Sequence, residues 1–303
     1  MRRPTGFRAG VIAPLPLVRS NDVGLFPGLI WRWLVDGDAG QSGWERFWNR
    51  ARWWKALILA AAYVVLYNLA SLLMLPFVSE TADPNSALYV LVVYVVPIFL
   101  GGVILVAFGA SVGWLRDLFG PQPIRGRGWM WIAVAVVLVF NILRFLTIDY
   151  TAAGLEYVLT WLLAGLFIGF AEEVLTRGYV IRIMRKAGHP EIAVALVSAA
   201  LFALLHATNL LTGQAIVPTL LQVLYTFFFG ICMYLALRVT GTLIAPILIH
   251  ASTDPSIFLQ TAFPAAGPLT AFSGLGNIAV IITGLILVFF IRGRVQTSPD
   301  ATQ

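Results

Sequence analysis

Eight stretches of this 303-residue chain are apolar for long enough to cross the hydrocarbon of a bilayer, about 30 Å thick. They run over residues 55–78, 87–110, 128–148, 155–184, 190–208, 215–237, 242–261 and 275–291. A segment inside lipid must satisfy its own backbone polar groups, which leaves a helix as the structure open to such a run. The expected fold is therefore all-α, a polytopic transmembrane helix bundle of about eight spans. Mean hydropathy is +0.87. Hydrophobic residues make up 59% of the chain, beyond the ~45–50% usual for soluble domains.

Charge sets the expected orientation. The net charge is +6 and the isoelectric point near 9.8, which for a soluble protein would raise nucleic acid as a partner. Here the arginines sit between apolar runs, as cytoplasmic loops do, so no nucleic-acid role is expected. Arg46, Arg50, Arg52 and Lys55 precede the first run; Arg116, Arg125 and Arg127 follow the second; Arg182, Arg185 and Lys186 close the fourth. Arg238 ends the sixth, and Arg292 and Arg294 end the last. The alternate loops, 79–86, 209–214 and 262–274, contain no basic residue. This pattern predicts both termini in the cytoplasm. Residues 1–54 are basic and rich in tryptophan and phenylalanine, and are expected to lie on the membrane surface, with 55–292 as the bundle and 293–303 as a short polar tail. No apolar core with a small-residue cleavage site marks the first fifty residues as a signal peptide. The single cysteine, Cys232, excludes an intrachain disulfide and a cysteine-built metal site.

Charged residues are 11% of the chain, so charges inside the apolar runs stand out. The fourth run contains Glu172, Glu173 and Arg177 within six positions. Glu173 and Arg177 are four apart and share a helix face, where they can pair. Glu172 points about 100° away, on a stripe with Gly165, Gly169 and Thr176, small residues that let another helix come close. That arrangement leaves Glu172 for chemistry, while a salt bridge locking two helices is the structural alternative. His206 lies in the fifth run, four residues after Phe202, and His250 and Asp254 share a face of the seventh, with Pro255 next expected to distort the helix. At about 1.5 Å per residue, Glu172, His206 and Asp254 lie about 20–24 Å from the inner ends of their helices and His250 about 14 Å. Groups from three helices thus reach similar depth, and one polar pocket opening toward the cytoplasmic half is expected. Asn141 and Arg144 occupy the third run, where Arg144, near the outer end, is expected to snorkel to the surface.

Glu-Glu-x-x-x-Arg, Phe-x-x-x-His and His-x-x-x-Asp on successive membrane helices resemble the CPBP intramembrane proteases. These are the type II CAAX prenyl endopeptidases and their bacteriocin-processing, abortive-infection relatives, and the likeness covers residues 155–260. The resemblance implies hydrolysis of a peptide bond in a membrane-associated or lipidated substrate. Carried over, Glu172 activates a water, His206 helps to hold it, and His250 and Asp254 stabilise the oxyanion or bind a metal, with Glu173, Arg177 and Phe202 in support. Family members carry Asn or Asp at the last position. An ionised Asp254 cannot donate to an oxyanion as Asn does, so it is either protonated, orients His250 or holds a cation. Glu172, His206, His250 and Asp254 would suit Zn²⁺ if the enzyme is metal-dependent. Two other functions are open to the same motifs: a non-proteolytic family member acting as membrane chaperone, immunity factor or sensor partner, and an ion-coupled transporter. The transporter lacks the internal repeat common in that class. Eighteen arginines against two lysines point to a GC-rich bacterial host and so to the bacterial cytoplasmic membrane.

Overall fold

The computed structural model describes residues 40–78 and 83–296. The surface-segment expectation for residues 1–39 and that for the end of the tail, 297–303, lie outside the described residues. Within them the chain is all-α: no strand is present, and the isolated bridges Ile148–Pro264 and Pro190–Arg294 only tie loops together. The eight long helices are α1 (Lys55–Leu72), α2 (Ala87–Ser111), α3 (Gly128–Leu146), α4 (Leu155–Lys186), α5 (Glu191–Thr212), α6 (Ile216–Thr240), α7 (Ile244–Ala262) and α8 (Pro268–Phe290). Each matches one expected span within a few residues, apart from α8, which begins earlier and is interrupted by a turn at Gly274–Leu275.

Seven of the eight are long and apolar enough to cross a membrane, which marks an integral, multi-pass membrane protein. The exception is α7. Its 19 residues include His250, Ser252, Thr253, Asp254, Ser256 and Gln260, too polar for a helix that faces lipid. The bundle resolves this by wrapping it: α7 packs against α4, α3 and α6. Asn141 of α3 donates to Ser252 Oγ at 2.9 Å and Thr253 Oγ1 at 2.8 Å, and Gln260 donates to Thr147 Oγ1 at 2.7 Å and to Ser273.

The contact of α4 with α7 is among the most extensive in the bundle, and the small-residue stripe explains it. A Cβ at Gly169 would sit 2.6 Å from the Ile247 carbonyl oxygen and 2.8 Å from the Ala251 nitrogen, so only glycine permits this approach. Gly165 likewise lies against Pro255 and the Ala251 carbonyl. Pro255 cannot donate to that carbonyl, yet α7 continues through it as one helix. The close cover by Gly165 shields the oxygen that proline leaves free, so the expected distortion does not break the helix.

At the other end of α4, Glu191 anchors the start of α5. Its carboxylate accepts from Arg185 at 2.7 and 2.8 Å and from Arg238 at 3.0 Å, with all three side chains buried. One carboxylate therefore joins α4, α5 and α6. Arginines read from the sequence as loop charges are here part of the interior.

Candidate active site

In α4 the α-helical ladder runs to Glu173 and then widens into a π-helical stretch, Val174–Val180. Such turns are rare and recur at functional sites. The expected pair forms across this junction, with Arg177 Nη1 3.1 Å from Glu173 Oε1 and both side chains at 0% exposure. Arg177 also donates to Thr176 Oγ1 at 2.6 Å and to the Gly230 carbonyl at 3.0 Å, and lies over the Phe202 ring, 4.5 Å from its centroid.

Glu173 has a second partner that its spacing in the sequence did not announce. His250 Nδ1 lies 2.9 Å from the same Glu173 Oε1. A carboxylate accepts, so Nδ1 carries the hydrogen and the ring is fixed with Nε2 directed the other way. There Nε2 meets Glu172 Oε2 at 3.7 Å and Asp254 Oδ2 at 3.8 Å. These are too long for hydrogen bonds and close enough to make one electrostatic cluster. Two expectations are corrected. Glu173 is not only the partner of Arg177, because it also orients His250. Asp254 does not orient that ring, since the nitrogen facing it is beyond hydrogen-bond reach and the other is bonded to Glu173.

His206, at the end of its α-helical run in α5, is held by an Nδ1 contact of 3.0 Å to the Phe202 carbonyl. A carbonyl only accepts, so Nδ1 bears the hydrogen and Nε2 keeps a lone pair. The Phe202 ring meets the rings of both His206 and His250 edge to face, with centroids 5.0 and 5.6 Å apart. Phe202 is thus the apolar spacer that sets the two histidines and the guanidinium of Arg177 around it. Its role follows from having three faces to offer, which a sequence motif does not convey.

Glu172, His206 and Asp254 line one cavity of about 590 Å³, and His250 lies behind its wall at 2% exposure. Among the described residues neither Glu172 Oε2 nor Glu173 Oε2 has a hydrogen-bond partner, and of the two glutamates it is Glu172 that lines the cavity. The cavity runs toward Asn209, Pro218 and Asn277. Those residues lie at the end of the bundle that the arginine pattern assigns outside, not toward the cytoplasmic half as expected. The reason is local: His206 sits next to the outer turn of α5 and Asp254 lies past the middle of α7, so the open space between helices lies beyond them. Tyr67, Tyr94, Gln222 and Tyr225 also line the wall. Sequence reasoning missed them because Tyr67, Tyr94 and the i,i+3 pair Gln222 and Tyr225 lie on three helices that carry none of the motifs, with no spacing to link them to the motif residues.

Arg144 does not snorkel. It is 3% exposed and donates to Asn277 Oδ1 at 2.8 Å. Among the described residues no three histidine, cysteine, aspartate or glutamate side chains are grouped to hold an ion. Glu173 and Arg177 take up one side of His250, and His206 is fixed to its own helix.

The chain was compared with known proteins on this basis. No curated protein and no solved structure is significantly similar to it. One family model matches residues 154–255, from the start of α4 to Pro255 in α7, and so contains every residue of the three motifs. That segment, and with it the cluster built by Glu172, Glu173, His206, His250 and Asp254, matches the Rce1-like type II CAAX prenyl endopeptidases, a family of intramembrane proteases of the CPBP group that the motifs resemble.

Proposed function

We propose that this protein is an intramembrane endopeptidase in which Glu172 activates the attacking water. The observation that carries the reading is the Glu172 carboxylate itself: buried, unbonded at Oε2, facing a cavity, and 3.7 Å from a histidine fixed by another carboxylate. A base within one water of the scissile carbonyl is what general base catalysis requires.

Glu172 takes a proton from water as its oxygen attacks the peptide carbonyl carbon. The lone pair of His206 Nε2 accepts the water's second hydrogen and holds its orientation. Negative charge then develops on the carbonyl oxygen. His250, doubly protonated, donates from Nε2 to that oxyanion, and Glu173 on Nδ1 offsets the imidazolium charge. Collapse of the tetrahedral intermediate breaks the C–N bond, and Glu172 returns its proton to the leaving amine. Asp254, also facing His250 Nε2, favours the charged ring and shares the cavity wall with Glu172. Each of these steps is carried by side chains of the cluster itself, Glu172, His206 and His250.

The substrate in this reading is a peptide or protein that reaches the cavity from the membrane, lipidated or not. The arginine bias favours a bacterial cytoplasmic membrane, where membrane proteins and secreted peptides are the available substrates. The test is cleavage of a peptide library by detergent-purified wild type and Glu172→Gln. The amide keeps the shape and removes the base, so turnover should fall by about 10²–10⁴ while folding is retained. Equal cleavage by the two proteins would refute the assignment.

A further inference from the structure

Glu172 and His206 line two cavities, the large one of about 590 Å³ and a second of about 100 Å³. The large one has the size of a ligand site, typically about 300–1,000 Å³. The small one falls below that range and has room for a few waters, at about 30 Å³ each. Its remaining walls come chiefly from Tyr63, Val64, Tyr67 and Asn68 of α1 and from Thr208 and Asn209 at the outer turn of α5. Tyr67 and Asn209 also line the large cavity, so the two spaces adjoin along the base and its histidine. The large cavity extends from there between α6, α7 and α8, as Gln222, Asp254 and Ile278 show.

The walls of the small cavity are polar where a membrane helix has reason to be apolar. Tyr63 and Tyr67 are four apart on α1, as are Val64 and Asn68, so one face of that helix turns its polar groups to the cavity. The rings of Tyr63 and Tyr67 stack with centroids 6.0 Å apart, and both residues lie in the field of the Glu172 carboxylate. Tyr63 is 5% exposed, and its hydroxyl has no partner among the described residues. Gly101 of α2 makes the room for that hydroxyl, which a Cβ there would approach to 2.6 Å. Acceptors share the compartment with this donor. Asn68 gives an amide hydrogen to the Val64 carbonyl at 2.8 Å, and its own oxygen is left to accept. Thr208 donates to the Leu205 carbonyl at 2.6 Å and keeps its lone pairs. A buried water takes about two to four such partners, and these groups supply them together with Glu172 and His206 Nε2.

We propose that the small cavity is a water compartment that feeds Glu172 while a peptide fills the large one, with Tyr63, Asn68 and Thr208 as positioning residues. The inference rests on the proteolytic reading of the site. Each turnover consumes one water: its oxygen joins the carbonyl carbon, one hydrogen passes through Glu172 to the leaving amine, and the other stays with the new carboxyl group. A substrate seated in the large cavity expels the water there, so the nucleophile has to reach Glu172 from another side. The compartment lies on such a side, and its α1 wall is outside the segment that the family model covers.

The experiment uses the full chain in detergent and reads two things: cleavage of a fluorogenic peptide, and X-ray radiolysis in heavy-oxygen water followed by mass spectrometry, which marks side chains that touch water. Val64→Phe fills the small cavity, while Tyr63→Phe and Thr208→Val each remove one hydroxyl and keep the packing. Val64→Phe should lower kcat by about tenfold or more with KM unchanged, because it displaces water and not peptide, and the hydroxyl variants should lower kcat several-fold. Tyr63 should take up heavy oxygen in wild type, and Val64→Phe should block most of the uptake on that ring. A raised KM with kcat intact would place peptide in the compartment and overturn the proposal. Unchanged kcat in all three variants overturns it too, as does an unlabelled Tyr63 in wild type or a fall in kcat in Val64→Phe with the label retained. Should Val64→Phe not fold, the hydroxyl variants and the wild-type label decide by the same criteria. Should no peptide be cleaved, the proteolytic reading fails separately and the label decides alone. Label on Tyr63 that Val64→Phe blocks then supports a water compartment beside Glu172, and no label overturns it.

Discussion

Replacing Glu173 by glutamine tests the central claim about the two neighbouring carboxylates. In the native protein one oxygen, Glu173 Oε1, serves Arg177 at 3.1 Å and His250 at 2.9 Å, with the carboxylate and guanidinium at 0% exposure. An amide preserves volume but carries no charge and one acceptor oxygen. Stranding one member of a buried ion pair costs about 3–5 kcal/mol. Arg177 keeps Thr176 Oγ1, the Gly230 carbonyl and the face of Phe202, which places the expected loss near the lower bound, about 3 kcal/mol. At about 2–4 °C per kcal/mol for a chain of this size class, the melting temperature in detergent should drop by roughly 6–12 °C. Activity should fall as well, by about 10²-fold or more, because His250 loses the carboxylate that fixes its tautomer and offsets its charge. The double change Glu173→Gln, Arg177→Gln separates the two roles. Removing both charges should recover most of the stability, since no buried ion is left unpaired, yet leave activity low. A double variant that regains activity along with stability would show that Glu173 only balances Arg177 and that His250 does not need it. A single variant with wild-type melting and turnover would refute the shared-oxygen geometry altogether.

Gly169→Ala puts a methyl group against the Ile247 carbonyl and the Ala251 nitrogen, so overpacking should cost about 1–3 kcal/mol. Because α7 carries His250, cleavage should weaken along with thermal stability, and an unchanged melting curve would contradict the tight crossing of α4 and α7. Reporter fusions at residues 151, 212 and 268 should all read outside if the arginine pattern sets orientation. A cytoplasmic reading at 212 would reverse the bundle and place the mouth of the cavity on the cytoplasmic side.

The resolved geometry changes how the motif works. Glu-Glu-x-x-x-Arg reads as a pair plus a catalyst; in the fold it is a chain in which Arg177 fixes Glu173, Glu173 fixes His250, and His250 faces Glu172. The residue that looked like a structural partner is the link between two helices of the site.

The sequence by itself determined the helix class, the positions of the spans and the identity of the motif residues. Hydrocarbon permits few structures, and the lengths and charges of the runs report that constraint directly. The i,i+4 pair Glu173–Arg177 was legible for the same reason, since helix geometry alone brings those side chains together. Contacts between helices were decided only by tertiary structure. That His250 bonds Glu173 and not Asp254, that Arg144 is buried on Asn277 instead of reaching the surface, and that Glu191 gathers two arginines all depend on which faces pack and how far they rotate. Small residues set the first of these: Gly165 and Gly169 let α7 approach until its histidine reaches α4. A glycine in a sequence marks that a close approach is allowed, while the partner and register are fixed by shape complementarity summed over both helices, which no single motif contains.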